Sequence, residues 1–128
     1  MKKLFAVIFA MITMATITQA QGSKEAGKVL RNVVLFKFKD SSPAADVKKV
    51  EEAFRSLPGK ISEIKSFEWG LNNSPEKLNQ GLTHCFFLTF SSEKDRDNYL
   101  VHPAHQEFGK LVGDKLDKVT VVDYWAEK

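Results

Sequence analysis

The chain has 128 residues and a formal net charge of +3, which falls to +1 without Lys2 and Lys3, because 17 basic residues then stand against 16 acidic ones. A nearly neutral chain with interspersed signs gives no electrostatic basis for binding nucleic acid. Cys85 is the only cysteine, so no intrachain disulfide can form and the core must supply the stability.

Residues 1–20 have the composition of an export signal. Two lysines precede an apolar run from Leu4 to Ile12, and small residues, Thr18 and Ala20, stand at the two positions that a signal peptidase reads. The run is shorter than the about 20 residues of a membrane span, so we expect no membrane anchor after cleavage. Residues 21–28 have no apolar period and are predicted to be a flexible leader. The sequence thus predicts a product exported to the periplasm or the extracellular space.

A strand and a helix are predicted next. Residues 29–39 alternate in polarity, which is the period of a strand. The apolar residues on one face of this strand are Val34, Phe36 and Phe38. Ser42 and Pro43 then suit an N-cap and a first helical residue. Apolar residues recur at helical spacing until Pro58 and Gly59, where the helix is predicted to stop.

Two strands and a broken helix follow. Residues 66–71 alternate again, and residues 72–81 are rich in turn formers. Residues 83–90 are apolar on both faces, so this strand is predicted to lie centrally in a sheet. Ser92 caps a second helix, which Pro103 interrupts before it resumes and ends at Gly113. A last strand is predicted at 118–125.

The predicted order is strand, helix, strand, strand, helix, strand, which is the split βαβ arrangement. It predicts an α+β fold with a four-stranded antiparallel sheet and both helices on one face. The first and third strands are apolar on both sides, so we expect the uncovered face to bury itself against a partner. The simplest partner is a second copy related by a two-fold axis.

Five short motifs, taken in order, make the chain similar to one known family. They are Val33–Lys39, the Gly70–Ser74 turn, Gly81–His84, Tyr99–His105 and Val122–Tyr124. Through them the chain resembles the stress-responsive dimeric α/β barrel (Dabb) family over roughly residues 29–126. The resemblance implies a ferredoxin-like βαββαβ protomer, in a domain spanning 29–128, whose sheet pairs with a second copy as a dimeric α/β barrel.

The resemblance also implies two site residues. The family includes stress-induced proteins without a settled activity and a plant polyketide cyclase that closes a ring by aldol condensation. The catalytic tyrosine and histidine of that cyclase fall on Tyr99 and His105. On an unbroken helix, residues six apart point about 240° from each other. Because Pro103 lacks an N–H for the Tyr99 carbonyl and pushes His102 toward an extended backbone, we expect the break to turn His105 back toward Tyr99.

In a cyclase-like role, His105 would be the general base, and Tyr99 would donate a hydrogen bond to the developing oxyanion. The ligand pocket is expected between the helices and the sheet. The predicted binding residues are His102, Asn32, Phe36, Phe54, Phe86 and Leu88. Asn32 departs from the family, which usually has a histidine there. Since asparagine does not titrate, a proton relay through this position would be lost.

Two other interpretations of the histidines remain open. The imidazoles of His102 and His105 could hydrogen-bond backbone groups freed by the proline and serve only the turn. They could also share a metal ion, but a zinc site needs at least three protein ligands, and only His84, Glu107 or Asp123 is at hand to complete one. We expect no metal site and no cofactor, since the sequence has no nucleotide-binding loop or haem motif.

Two functions are therefore predicted. In the first, the chain is an exported, dimeric, stress-responsive protein that binds a small apolar or phenolic ligand without turnover. In the second, it is a cofactor-free lyase or cyclase that acts on an oxygenated, partly aromatic substrate. In both, the protein partner is a second copy of the chain.

Overall fold

An antiparallel sheet with helices packed on one face forms the part of the chain that the computed structural model describes, residues 27–127. The elements are β1 (Leu30–Phe38), α1 (Ala44–Lys60), β2 (Ser66–Leu71), β3 (His84–Phe90), α2 (Glu93–Val101), α3 (Pro103–Val112) and β4 (Leu116–Trp125). The predicted order is confirmed, and the second helix is divided at Pro103 as expected. The export signal and most of the leader, predicted at 1–20 and 21–28, lie outside the described residues.

The sheet has the strand order β2-β3-β1-β4, so the two strands that are apolar on both faces lie in the centre. Every neighbouring pair is antiparallel. Val34 of β1 is paired with Phe86 of β3 and with Val121 of β4, which places these three side chains on the same face. This is the predicted ferredoxin-like architecture.

The core lies between the helices and that face of the sheet. The Phe54 ring of α1 stacks on Phe86 with 4.1 Å between centroids and also contacts Phe36 and Phe108. Each fully buried phenylalanine or leucine stabilises the fold by about 1.5–3 kcal/mol. The largest fully buried side chains are Phe54, Phe86, Phe90, Leu57, Ile61, Leu88 and Val50.

The ends of α1 differ from the prediction. Ser42 is not the N-cap: its hydroxyl donates to the Lys115 carbonyl at 2.9 Å, and Pro43 occupies the cap position. The helix also runs through Pro58 to Lys60 instead of stopping at Pro58. A proline this close to the C-terminus removes a single hydrogen bond, to the carbonyl four residues earlier, so the last turn can still form.

The other face of the sheet, here called the open face, is apolar in its centre and has no helix packed on it within residues 27–127. Val33 of β1 lies between Phe87 of β3 and Val122 of β4 on this face. Arg31 lies over the Phe87 ring at 5.1 Å from its centroid. Val122 is 51% exposed and Tyr124 is 44% exposed. None of the helices in residues 27–127 is both long and apolar enough to cross a membrane.

Candidate functional site

The break between α2 and α3 rearranges the hydrogen bonds of one helical turn. His102 has an extended backbone, with φ −63° and ψ 138°, as residues before proline do. Since Pro103 has no N–H, the Tyr99 carbonyl accepts from the His102 N–H instead, at 3.2 Å. The Nδ1 atom of His102 accepts from the Ala104 N–H at 3.0 Å and caps α3. His102 therefore maintains the break.

The same break frees the Leu100 carbonyl, because the Ala104 N–H that would reach it in a continuous helix is used by His102. The Leu100 carbonyl bonds instead to Nδ1 of His105, at 3.1 Å. A carbonyl can only accept, so Nδ1 has the hydrogen and Nε2 of the neutral ring has the lone pair. Burial lowers the pKa of His105, and the bond to Leu100 opposes this only in part. The geometry thus holds a neutral imidazole with a basic Nε2.

Tyr99 is 2% exposed and packs between Phe90 and His105, with ring centroids 5.1 Å and 4.5 Å away. Burial, and secondarily the charge of Asp123, holds the pKa of its hydroxyl well above the ordinary value. The hydroxyl therefore stays protonated at neutral pH and is available as a hydrogen-bond donor. No side chain or carbonyl among residues 27–127 hydrogen-bonds to it.

Tyr99 and His105 line one cavity of about 240 Å³ between the helices and strands β1 and β4. This cavity is called the Tyr99 cavity below. Its polar side chains are those of Asn32, Tyr99 and His105. Its other lining residues are Val34, Phe36, Phe54, Leu100, Phe108, Gly109, Val112, Leu116, Val119 and Val121. A small apolar cavity with a few convergent polar groups is typical of a small-molecule site.

Asn32 connects this cavity to a charged pair on the edge of the sheet. Its Nδ2 donates to Oδ1 of Asp123 at 2.5 Å, since the two residues are register partners on β1 and β4. The other oxygen of Asp123 accepts from Arg96 of α2 at 3.1 Å. Asn32 itself is 3% exposed. The cavity wall is thereby tied to both β4 and α2.

Besides Tyr99, four predicted site residues line the cavity: Asn32, Phe36, Phe54 and His105. Phe86 and Leu88 do not line it, because they belong to β3, which β1 separates from β4 and from the cavity beside it. His102 does not line it either, because its ring turns to the α3 cap. Sequence reasoning missed Val119 and Val121, because it predicted a last strand at 118–125 but not the position of that strand beside a gap between the helices.

His84 lies away from this cavity and has both ring nitrogens occupied. Its Nε2 is 2.6 Å from Oε2 of Glu51, and its Nδ1 is 2.8 Å from the Thr83 hydroxyl. Within residues 27–127, no three His, Cys, Asp or Glu side chains are grouped so that they could hold a metal ion. His84 therefore does not complete a metal site with His102 and His105.

A second cavity, of about 470 Å³, lies at the β2–β3 end of the molecule. Its lining includes Leu35, Gly70 and Cys85, which belong to the open face, and the exposed Leu71 and residues of the 72–83 loop. Burial raises the pKa of the Cys85 thiol, with a smaller effect from Glu68, so this cysteine is a poor nucleophile. His84 also lines this second cavity, but both of its ring nitrogens already have hydrogen-bond partners, so the Tyr99 cavity is the stronger candidate site.

The chain and its fold are similar to those of known proteins. Residues 30–126 match the stress responsive A/B barrel domain family. The stress-response A/B barrel domain-containing protein HS1 of Arabidopsis thaliana is 38% identical over 101 residues, 79% of this chain and 93% of that protein. Olivetolic acid cyclase of Cannabis sativa is 27% identical over 99 residues, 77% of this chain and 98% of that protein. A dimeric protein of unknown function with a ferredoxin-like fold from Bacteroides fragilis has a TM-score of 0.62 and 30% identity, covering 75% of this chain and 94% of that one.

Proposed function

The chain belongs to the stress responsive A/B barrel domain family, and from this premise we propose that its Tyr99 cavity binds a small, mostly apolar carbonyl compound and transfers a proton on it without a cofactor. One observation carries the proposal: the rings of Tyr99 and His105 lie 4.5 Å apart on the wall of one cavity. The likeness to olivetolic acid cyclase supports the same reaction class.

The proposed chemistry begins at Nε2 of His105, which takes a proton from a carbon next to the ligand carbonyl. Negative charge then grows on the carbonyl oxygen, and the Tyr99 hydroxyl stabilises it by donating a hydrogen bond. The enolate carbon attacks a second carbonyl of the same molecule and forms a carbon–carbon bond. The proton on His105 moves to the new alkoxide, which returns the ring to its neutral form and gives a cyclic aldol product.

The ligand must be compact. A cavity of about 240 Å³ is below the range of roughly 300–1,000 Å³ that is usual for drug-sized ligands. Val119 and Val121 are 50% and 54% exposed, so the wall opens to solvent along β4. A ligand substituent too long for the cavity would extend into solvent on this side.

Binding without turnover is the second candidate function. It is favoured because both histidines have a structural role: His102 caps α3, and His105 donates a hydrogen bond to the Leu100 carbonyl. In this case the Tyr99 cavity would hold a small apolar or phenolic ligand, and the histidines would only build its wall. The candidates differ in whether proton transfer occurs on the bound ligand.

Two further proposals concern the whole chain. We propose a homodimer in which the open face packs on its copy, supported by the apolar Val33 and Phe87 in its centre and by the dimeric relative from Bacteroides fragilis.

We also propose export, on the composition of residues 1–20. A secreted product whose mass corresponds to a start at Gln21 would support export, and one that retains residue 1 would contradict it.

Proton transfer can be tested without knowing the natural ligand. Acetophenone in D2O exchanges its methyl protons slowly, and ¹H NMR measures the loss of their signal. We expect the protein to accelerate this exchange, His105→Ala to lower the acceleration by at least about 100-fold, and Tyr99→Phe to lower it by about 100-fold.

Gln106→Ala is the matched control. Its side chain also approaches the Leu100 carbonyl, at 3.4 Å, but has no base, so the exchange rate should not change. If acetophenone shifts the resonances of cavity residues but its protons do not exchange faster, the second candidate is correct. If acetophenone neither binds nor exchanges, the proposal for this class of carbonyl compound fails.

A further inference from the structure

The side-chain amide of Asn32 has a fixed orientation at the wall of the Tyr99 cavity. Its Nδ2 donates to Oδ1 of Asp123 at 2.5 Å. A carboxylate can only accept hydrogen bonds, so a flipped amide would place two acceptors against each other. The nitrogen of Asn32 must therefore face Asp123, and its oxygen must face away from it.

Asp123 cannot turn away to release this constraint. Its second carboxylate oxygen accepts from the Arg96 guanidinium at 3.1 Å. Arg96 is held in turn by Asp97, at 3.0 Å. The side chains of Arg96 and Asp123 are 22% and 23% exposed, so the pair is only partly screened by solvent. The orientation of Asn32 is thus set from outside the cavity.

The oxygen of this amide lacks a partner. Oδ1 of Asn32 is buried and accepts no hydrogen bond from residues 27–127, although the residue is only 3% exposed. A buried acceptor without a donor is costly, and native structures contain few of them. Bulk solvent does not reach this atom, and Asn32 lines the Tyr99 cavity, so a molecule bound in that cavity could supply the donor.

The cavity wall supplies no donor of its own to this atom. Nδ1 of His105 is used by the Leu100 carbonyl, and its Nε2 has a lone pair in the neutral ring. The Tyr99 hydroxyl, the remaining polar group of the wall, makes no hydrogen bond to Asn32. The wall therefore offers one donor, Tyr99, and two acceptors, Asn32 and His105.

We propose that Asn32 determines ligand specificity by accepting a hydrogen bond from a hydroxyl of the ligand, so that the cavity selects compact, mostly apolar molecules with a phenol or enol hydroxyl. The inference rests on the proposed function, because it concerns the ligand of the same cavity. Asp123 and Arg96 are positioning residues, since they orient the amide without contacting the ligand. A site built to accept a hydrogen bond rejects an analogue that lacks the donor, because its buried acceptor stays unpaired.

The test compares two probes, 4-fluorophenol and 4-fluoroanisole. The second is the methyl ether of the first, so it lacks the hydroxyl hydrogen that could be donated to Asn32. Both are titrated with the wild-type protein by ¹⁹F NMR, which measures weak binding directly. We expect the phenol to bind at least about tenfold more tightly than the methyl ether. Equal binding of the two probes would overturn the role of Asn32 and leave the proposed cavity intact. Absence of binding by both would count against the proposed function as well.

Two variants separate hydrogen bonding from shape. Asn32→Leu keeps the side-chain size and removes the acceptor. Asp123→Asn keeps Asn32 and removes the constraint on its orientation, because an amide at position 123 can pair with either end of the Asn32 amide. In both, the preference for the phenol should fall to within about threefold.

Val119→Ala is the control, because this half-exposed residue lines the cavity without a polar group. It should change the affinity for both probes together and keep their ratio. A wild-type ratio that persists in Asn32→Leu and Asp123→Asn would assign the preference to cavity shape and overturn the inference. Should Asn32→Leu fail to fold, Asp123→Asn decides alone, since it alters a partly exposed side chain.

Discussion

Single atoms decide what the site can do. The hydrogen on Nδ1 of His105 is committed to the Leu100 carbonyl, so the ring offers a lone pair and not a proton. The hydroxyl of Tyr99 stays protonated because burial and the charge of Asp123 both disfavour the phenolate. A base and a hydrogen-bond donor thus line the same cavity in complementary protonation states.

The pH dependence of this site follows from His105. Burial lowers its pKa below the ordinary 6.5, so proton exchange on a bound ketone should be half-maximal below pH 6.5 and level above it. Because the unfolded chain binds more protons between the lowered pKa and 6.5, this residue makes the fold less stable as the pH falls through that interval. ¹⁵N NMR of the ring gives both the pKa and the tautomer. A pKa of 6.5 or more, or a hydrogen on Nε2 of the neutral ring, would contradict the geometry.

At the scale of elements, the important feature is the junction of α2 and α3. Pro103 removes one N–H, His102 uses a second, and the carbonyls that these groups would have bonded turn to new partners. The result is a change of direction that brings the rings of Tyr99 and His105, six residues apart in the chain, into contact. The motif is therefore both a helix break and the framework of the site.

Replacing Pro103 tests whether the helix break brings Tyr99 and His105 together. In Pro103→Ala the new N–H can bond the Tyr99 carbonyl, so a continuous helix competes with the break and rotates His105 away from Tyr99. We expect ketone exchange to fall by about 100-fold, while the free energy of unfolding changes by only about 1 kcal/mol. NMR contacts between the two rings report the geometry.

The other helical proline of the chain is the matched control. Pro58 lies in the last turn of α1 and does not line the Tyr99 cavity. Pro58→Ala should leave exchange unchanged and stabilise the protein, since it restores a helical hydrogen bond. Ring contacts that survive in Pro103→Ala would show that packing, and not the proline, holds His105 in place.

For the molecule as a whole, the important feature is the sheet, which within residues 27–127 has one face under helices and one apolar face without them. Val33, Leu35 and Phe87 are half-buried in the single chain, and Val122 is half-exposed beside them. These residues are neighbours on one face and not scattered singly, and pairing of two copies would bury them together. The Tyr99 cavity lies on the opposite side of the sheet, so the proposed dimer would leave its entrance free.

A charge on the open face should separate the copies. Val33→Asp places a carboxylate between the apolar side chains of Phe87 and Val122, where a dimer would remove it from water. We expect the dissociation constant of the dimer to rise by at least about 100-fold, measured by sedimentation equilibrium. Val101→Asp, at an apolar residue that is 70% exposed on the helical side, should leave the dimer intact. A wild-type protein that is monomeric at micromolar concentration would contradict the proposed pairing.

Sequence reasoning reached the fold and part of the lining of the Tyr99 cavity. Alternation and helical spacing gave the order of elements, because a half-buried strand and an amphipathic helix each need their own period. Tyr99 and His105 could be paired in advance because the effect of Pro103 is local. Phe86 and Leu88 were misplaced, since the period gives the face of a strand but not which layer of side chains reaches a cavity. Ser42 was misassigned because its hydroxyl finds the Lys115 carbonyl, a partner 73 residues away.

The sequence by itself determined the elements, the central position of the third strand, the break at Pro103 and the two-sided sheet, because each depends on residues close together in the chain. Only the tertiary structure decided that Asn32 meets Asp123, 91 residues further on, and that Arg96 binds the other oxygen of this carboxylate. Those contacts depend on the register of β1 with β4 and on the position of α2 beside them. Register is set by the packing of the whole sheet, and so the polar wall of the cavity becomes visible only in the folded molecule.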